Sequence, residues 1–222
     1  MGKKAAGRTE RRPLSRELII EAAIVLVERD GARGLSMRKV AAELGVGVMS
    51  LYNHVPDREA LVDGIAITVL AGLNPPSGLD PAADWKVNAR LMVDAFRATA
   101  HRYPRSMHLV FTSRIDLEFK WTAAEQALAY LASAGFDGET SVRALRALMS
   151  FAIGAQMMVH GVVRVPGTAQ AEVIETVMAD PERYPHAIAL AHELARPPGD
   201  ADFDRGLEML LSALDRLPRQ NA

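Results

Sequence analysis

SMRKVAAELGVGVMSLYNHVPDR, residues 36–58, reads as two short helices folded around a glycine turn. Ser36 has the chemistry of a helix N-cap, and Val40, Ala41 and Leu44 then fall three and four apart, so one helical face is apolar. Gly45 ends that helix. Val46 carries the apolar stripe across the turn, a second helix starts near Val48 with Leu51 and Val55 four apart, and Pro56 closes it. The two helices share one small core, in which Ala41 lets the backbones approach closely. The outward face of the second helix, with Met49, Ser50, Asn53 and His54, is left free of packing duty. This pattern predicts a helix-turn-helix whose second helix is dimensioned for the major groove of DNA.

Working outward, Pro13 and Ser15 announce a preceding helix with Ile19, Ala22, Ala23, Leu26 and Val27 as its buried stripe and Asp30-Gly31 as its end. On the other side Asp57 caps a helix reaching residue 72, with Leu61, Ile65, Thr68, Val69 and Gly72 on its inward side. The stretch from Leu73 to Ala83 contains three prolines, with Gly72 beside it and Gly78 within it, and marks a boundary.

Beyond that boundary every periodicity is helical. Trp85, Asn88, Ala89, Met92, Phe96, Thr99 and Tyr103 share one face of a long helix ended by Pro104, and an apolar piece runs from Met107 to Thr112. Residues 118–134 place Trp121, Ala124, Leu128 and Leu131 inward before Gly135. No sustained strand alternation occurs. The fold class is therefore all-α, an N-terminal three-helix helix-turn-helix head on a C-terminal helical body. Residues 1–13 form a basic, disordered arm; 14–60 the DNA-binding domain, with its connecting helix to 72; and 73–222 the body.

From about Glu139 to Val163 the pattern changes in kind, because two stripes are apolar: Val142, Leu145, Met149, Ala152 and Gln156 on one, Ala144, Leu148, Phe151, Ala155 and Met158 on the other. A helix apolar nearly all round is buried all round, so one face meets the core and the other a partner chain. A last helix, about Asp202 to Leu217, carries Phe203, Leu207, Leu210, Leu211, Leu214 and Leu217. The expected dimer contact is thus Leu148, Phe151, Ala155, Met158, Leu207, Leu210, Leu211 and Leu214. Between these helices Pro166, Pro181, Pro185, Pro197 and Pro198 predict a broken helix and loops.

The stretch GLSMRKVAAELGVGVMSLYNHVPDREALVDGI, residues 34–65, resembles the signature of the TetR family of bacterial repressors, most specifically in Leu51-Tyr52-x-His54 followed by Asp57-Arg58 and Leu61. The likeness covers about residues 14–72. It implies a DNA-binding set of Ser36, Met37, Arg38, Val48, Met49, Ser50, Tyr52, Asn53, His54 and Arg58. Arg38 suits a guanine edge or a phosphate, Val48, Met49 and Asn53 meet base edges, and Tyr52, His54 and Arg58 meet phosphates. Met37 stands where threonine is common. A bracing ring at Tyr52 and a helix-capping role for His54 stay open as alternatives. Asn53 is suited to a bidentate bond with adenine, and the apolar Gly47, Val48 and Met49 to thymine methyls. The family further implies a homodimer on a palindromic operator, with recognition helices about 34–36 Å apart, released when a small molecule enters the body and moves helix 57–72.

The body is similar to the tetracycline-repressor subgroup in its order of elements and in Thr112-Ser113-Arg114, Ala134-Gly135-Phe136 and Phe151-Ala152-Ile153-Gly154-Ala155. That subgroup ligates drug-bound magnesium through a histidine. An offset from Arg114 puts Val110 there, and His108, two residues away, belongs to another face, so no metal or other cofactor is expected and the effector is unidentified. The candidate effector pocket is Trp85, Met92, Phe96, His108, Phe111, Gln156 and His160, each of which also reads as plain core.

Composition narrows the alternatives. The chain has 222 residues, 49% apolar, and no cysteine, which excludes disulfides and thiolate chemistry and suits a cytoplasmic location. Net charge is −1, yet residues 1–60 hold 11 Lys/Arg against 8 Asp/Glu, with Lys3, Lys4, Arg8, Arg11, Arg12 and Arg16 crowding the start. No apolar leader segment follows these charges. The six histidines never stand four apart, and no nucleophile-base set or phosphate loop appears, which weighs against an all-helical enzyme. Residues 147–163 lack formal charge for 17 positions but carry Ser150, Gln156 and His160, and read as an interface helix rather than a membrane span. A DNA-binding regulator whose body binds a protein, or only dimerises, is the nearer alternative.

Overall fold

The structure, a computed structural model, describes residues 13–72, 79–80, 83–112, 118–159 and 178–219. Among them every regular element is helical: α1 Arg16–Asp30, a 3-10 turn Ala32–Gly34, α2 Met37–Leu44, α3 Val48–Tyr52, α4 Arg58–Ala71, α5 Trp85–Arg102, α6 Pro104–Thr112, α7 Glu118–Ser133, α8 Gly138–Val159, α9 Pro185–Ala189, α10 Ala191–Ala195 and α11 Asp200–Leu214. Two compact units result, Met1–Val69 with Arg105–Ile115, and Leu70–Pro104 with Asp116–Ala222. Residues Arg105 onward of α6, part of the body in sequence, therefore group with the head.

In the first unit α1 begins at Ser15, whose hydroxyl accepts the Leu18 N–H at 3.3 Å, and ends at Gly31 with φ +77°. The predicted stripe is buried, and so are Ile20 and Ile24, because α1 is covered from more than one side. It packs on α2. It also meets α4 so closely that a Cβ on Gly64 would lie 2.2 Å from Ile20 Cδ1. On α4, Asp57 Oδ1 accepts the Ala60 N–H at 2.8 Å, and Leu61, Ile65 and Val69 are fully buried. Thr68 and Gly72 depart from the expected inward line and face solvent; Val62 and Ala66 take that role. On α6, Met107, Leu109 and Val110 are buried.

The second unit packs α5 on α7 and α8, and α7 and α11 on α8. Trp85 meets Phe136 edge to face at 5.1 Å and donates its indole N–H to Asp215 at 3.0 Å. Asp215 also accepts from Lys86 at 3.0 Å and Arg219 at 2.7 Å, while the Arg219 guanidinium lies 3.6 Å from the centre of the Phe136 ring. Farther along, Arg97 lies 4.2 Å over Phe203, whose ring is 5.1 Å from Phe151.

Two sequence expectations fail here. Trp121 is 66% exposed, because the inward line of α7 follows Ala127 and Leu131 and at about 100° per residue Trp121 lies well off it. Leu148, Leu207, Leu211 and Leu214, assigned to the dimer contact, are buried within the chain itself, because α11 covers α8 intramolecularly. Phe151, Ala155, Met158 and Leu210 are only half-buried, and Met149 on α8 and Met209 on α11 are exposed, the latter at 66%. α8 is long and apolar enough to cross a membrane by length and composition, yet its Ser141, Ala144, Leu148, Ala152 and Gln156 form a core-facing line. Its predicted continuation to Val163 lies outside the described residues.

Candidate nucleic-acid interface

The face that meets solvent in the head is set by how α2 and α3 end. Ser36 holds an extended backbone and its hydroxyl accepts the Lys39 N–H at 3.3 Å, so α2 starts one residue later. At the other end Gly45 adopts φ +66°, the left-handed conformation that glycine enters without a Cβ penalty. Its N–H donates to the Ala42 carbonyl at 3.2 Å and that of Val46 to Ala41 at 3.0 Å, the paired bonds of a Schellman turn. The chain thus reverses within three residues, and α3 begins at Val48.

Burial sorts α3 and the three residues that follow it cleanly. Leu51 and Val55 are wholly buried, whereas Met49 is 75% exposed, with Ser50, Tyr52, Asn53 and His54 also outward. Val48 is half-buried. Tyr52 is 43% exposed, so its ring both lies partly against the motif and meets solvent. Arg38 and its neighbour Lys39, which the sequence reading passed over, are exposed on α2. The carboxyl of Glu17 sits below its usual range through its own backbone amide at the open end of α1 and the Ser15 hydroxyl, with weaker attraction from Arg16 and His54.

Two residues of the expected set behave differently. Met37 is 7% exposed, so its thioether packs beneath the motif and explains why an apolar residue is tolerated there. The Arg58 guanidinium donates to the Leu35 carbonyl at 3.2 Å and to the Ala32 carbonyl at 3.4 Å. It braces the turn before α2, a role invisible in the sequence because its acceptors are backbone oxygens 23 and 26 residues away.

The expected effector residues are divided between the two units. Trp85, Phe96 and Gln156 are buried in the second unit, with Met92 half-buried. His108 and Phe111 are exposed on α6 and group with the head, and Val110 is buried. His160 lies outside the described residues.

A glycine-terminated helix pair with a buried scaffold and an outward face of amide, hydroxyl, imidazole and thioether groups defines a helix-turn-helix DNA-binding regulator. The family description "Bacterial regulatory proteins, tetR family" matches residues 19–65, and "Tetracyclin repressor-like, C-terminal domain" matches residues 77–217. The chain belongs to the TetR family of transcriptional repressors, which are regulators and not enzymes. It is 29% identical over 217 residues to the HTH-type transcriptional repressor DrrR1 of Streptomyces coeruleorubidus, covering 93% of this chain and 79% of that protein. The crystal structure of TetR from Acinetobacter baumannii AYE superposes with a TM-score of 0.70 at 27% identity, covering 94% of this chain and all of that one. A variant of that protein in complex with minocycline gives 0.64 at 25% identity, covering 94% and 99%.

Proposed function

We propose that two copies of this chain bind a palindromic operator and release it when an uncharacterised small molecule enters the body, without a metal or other cofactor, in the cytoplasm. The observation that carries the reading is the division of α3 and the turn after it, with Leu51 and Val55 wholly buried beneath an outward face led by Met49 at 75% exposure. One short helix contacts few base pairs, and with each good base contact worth about 1–3 kcal/mol a single copy cannot select one site in a genome. A two-fold pair holding its recognition helices about one duplex turn apart does so. For the dimer contact, burial of the leucines redirects the proposal to the exposed Met149 on α8 and to Met209, Ser212 and Ala213 on α11, the last three sharing a face with Arg205 and Arg216. Base recognition falls to Met49, Asn53 and Arg38, and phosphate contact to Tyr52, His54 and Lys39. The minocycline-bound neighbour supports a body that takes small molecules.

Selection of binding sequences from a random duplex library tests the DNA reading: a palindrome with half-sites about ten base pairs apart is expected. Recovery of unrelated or non-palindromic sequences sinks it. The selected duplex, bound to the protein and screened against a compound library, then tests release.

A further inference from the structure

Gln156 lies near the C-terminal end of α8, 5% exposed, and neither its Nε2 nor its Oε1 has a hydrogen-bond partner. A side-chain amide offers two donors and an acceptor with two lone pairs, and burial with none of them engaged is strongly unfavourable. Its line on α8 otherwise holds the apolar Ala144, Leu148 and Ala152, and Ser141 near the helix start, whose hydroxyl is also buried without a partner. An aliphatic side chain would continue that line with no polar penalty.

Its surroundings can be placed from the contacts along the bundle. Trp85 at the start of α5 meets Phe136 just ahead of α8, and Arg97 lies over Phe203, which packs on Phe151. The two helices therefore run in the same direction, and equal rise brings Gln156 level with the last turn of α5. There Ala100 is 1% exposed and the Thr99 hydroxyl is already engaged with the Gly72 and Ala95 carbonyls. Neither group engages the Gln156 amide, whose full bonding capacity stays unused.

We infer that Gln156 is the polar anchor of a small-molecule site in the body, and that the ligand is an uncharged ring carrying a carbonyl beside an N–H, a lactam. This rests on the effector reading above. A carboxamide pairs with a lactam reciprocally, its NH₂ donating to the ring carbonyl and its oxygen accepting from the ring N–H. The buried polar side chains of this unit among the described residues are Asn88, Thr99, Ser141 and Gln156, none of them ionisable. A charged ligand would find no buried counter-charge among them. Among the described residues, no group of three His, Cys, Asp or Glu side chains is placed to hold a metal that would recruit an anionic chelator.

The sequence holds four glutamines, Gln126, Gln156, Gln170 and Gln220, so the full chain labelled with nitrogen-15 at glutamine side chains gives four amide signals. Gln156→Leu identifies the relevant one. Titration with 2-quinolone should shift that signal saturably, and N-methyl-2-quinolone, which lacks the donor, should bind about tenfold more weakly or worse. The Leu variant should melt no lower than wild type, having lost an unsatisfied buried amide, and should lose 2-quinolone binding by a similar factor. Equal binding by wild type and variant overturns the assignment of Gln156 while leaving the body its small-molecule site. Absence of any shift with 2-quinolone overturns the proposal outright, and the effector reading then stands or falls on the compound screen.

Discussion

The carboxylate of Glu28 accepts the backbone N–H of Ser106 at 2.8 Å, joining the last turn of α1 to the first turn of α6 across 78 residues of sequence. Its other oxygen takes the Arg105 N–H at 3.2 Å, and the Arg105 guanidinium donates to the Arg29 carbonyl. Arg29 in turn bridges Glu43 of α2 at 3.0 Å. Polar links thus run from α6 through α1 into the first helix of the DNA-binding motif. An anion at a helix start satisfies orphan amides and opposes the positive end of the helix dipole.

Glu28→Ala should destabilise the protein by about 1–3 kcal/mol, since two amides lose a charged acceptor. Glu28→Gln should recover part of that through its remaining carbonyl. Urea denaturation of the full chain measures both; an unchanged midpoint in the Ala variant would show that solvent replaces Glu28 without loss.

Arg38 and Arg58 stand in the same family motif but should fail in opposite ways. Arg38→Ala is expected to leave the melting temperature unchanged and weaken binding to the selected duplex by about 1–3 kcal/mol. Arg58→Ala should lower fold stability by about 1–2 kcal/mol, because it removes the brace on the Leu35 and Ala32 carbonyls. Fluorescence anisotropy beside thermal melts separates the two, and reversed phenotypes would refute the assignment.

Met37→Ala should cost about 2–4 kcal/mol of stability, the range for emptying a buried Met side chain. Once corrected for the unfolded fraction, its operator affinity should match wild type. A folded variant with impaired DNA binding would place the Met37 side chain at the duplex after all.

The Asp215 carboxyl is held below the usual carboxylate range by the Trp85 indole and the Lys86 ammonium, aided by charge attraction from Lys86 and Arg219. A lowered folded-state pKa means that the stabilisation is present above the unfolded value of about 3.9 and is lost as pH falls through the folded value. The gap in urea midpoint between wild type and Asp215→Asn should therefore hold constant from about pH 8 to about 5 and close below about pH 4. A gap independent of pH would mean that the ionised form contributes nothing.

Helical periodicity and caps are local, and the corresponding features were legible from residues three or four apart. Ser15, Ser36 and Asp57 cap the helices they were expected to cap, Gly45 turns the chain, and Leu51 and Val55 are buried. The outward set on α3 followed from the same spacing. Errors gathered where a face had to be matched to a particular neighbour: Met37 turned inward, Trp121 outward, and four leucines expected at a dimer contact were consumed by α8 and α11 of one chain.

By itself, then, the sequence determined that this protein is all-helical and carries a helix-turn-helix with Met49, Ser50, Asn53 and His54 facing out, because an apolar repeat and a left-handed glycine act within one or two turns. Only the tertiary structure decided that Arg58 serves the fold, that α6 from Arg105 onward joins the head, and that Gln156 is buried with its amide unsatisfied. Those outcomes depend on which surfaces meet across tens of residues, and a periodic pattern names a face without naming what covers it.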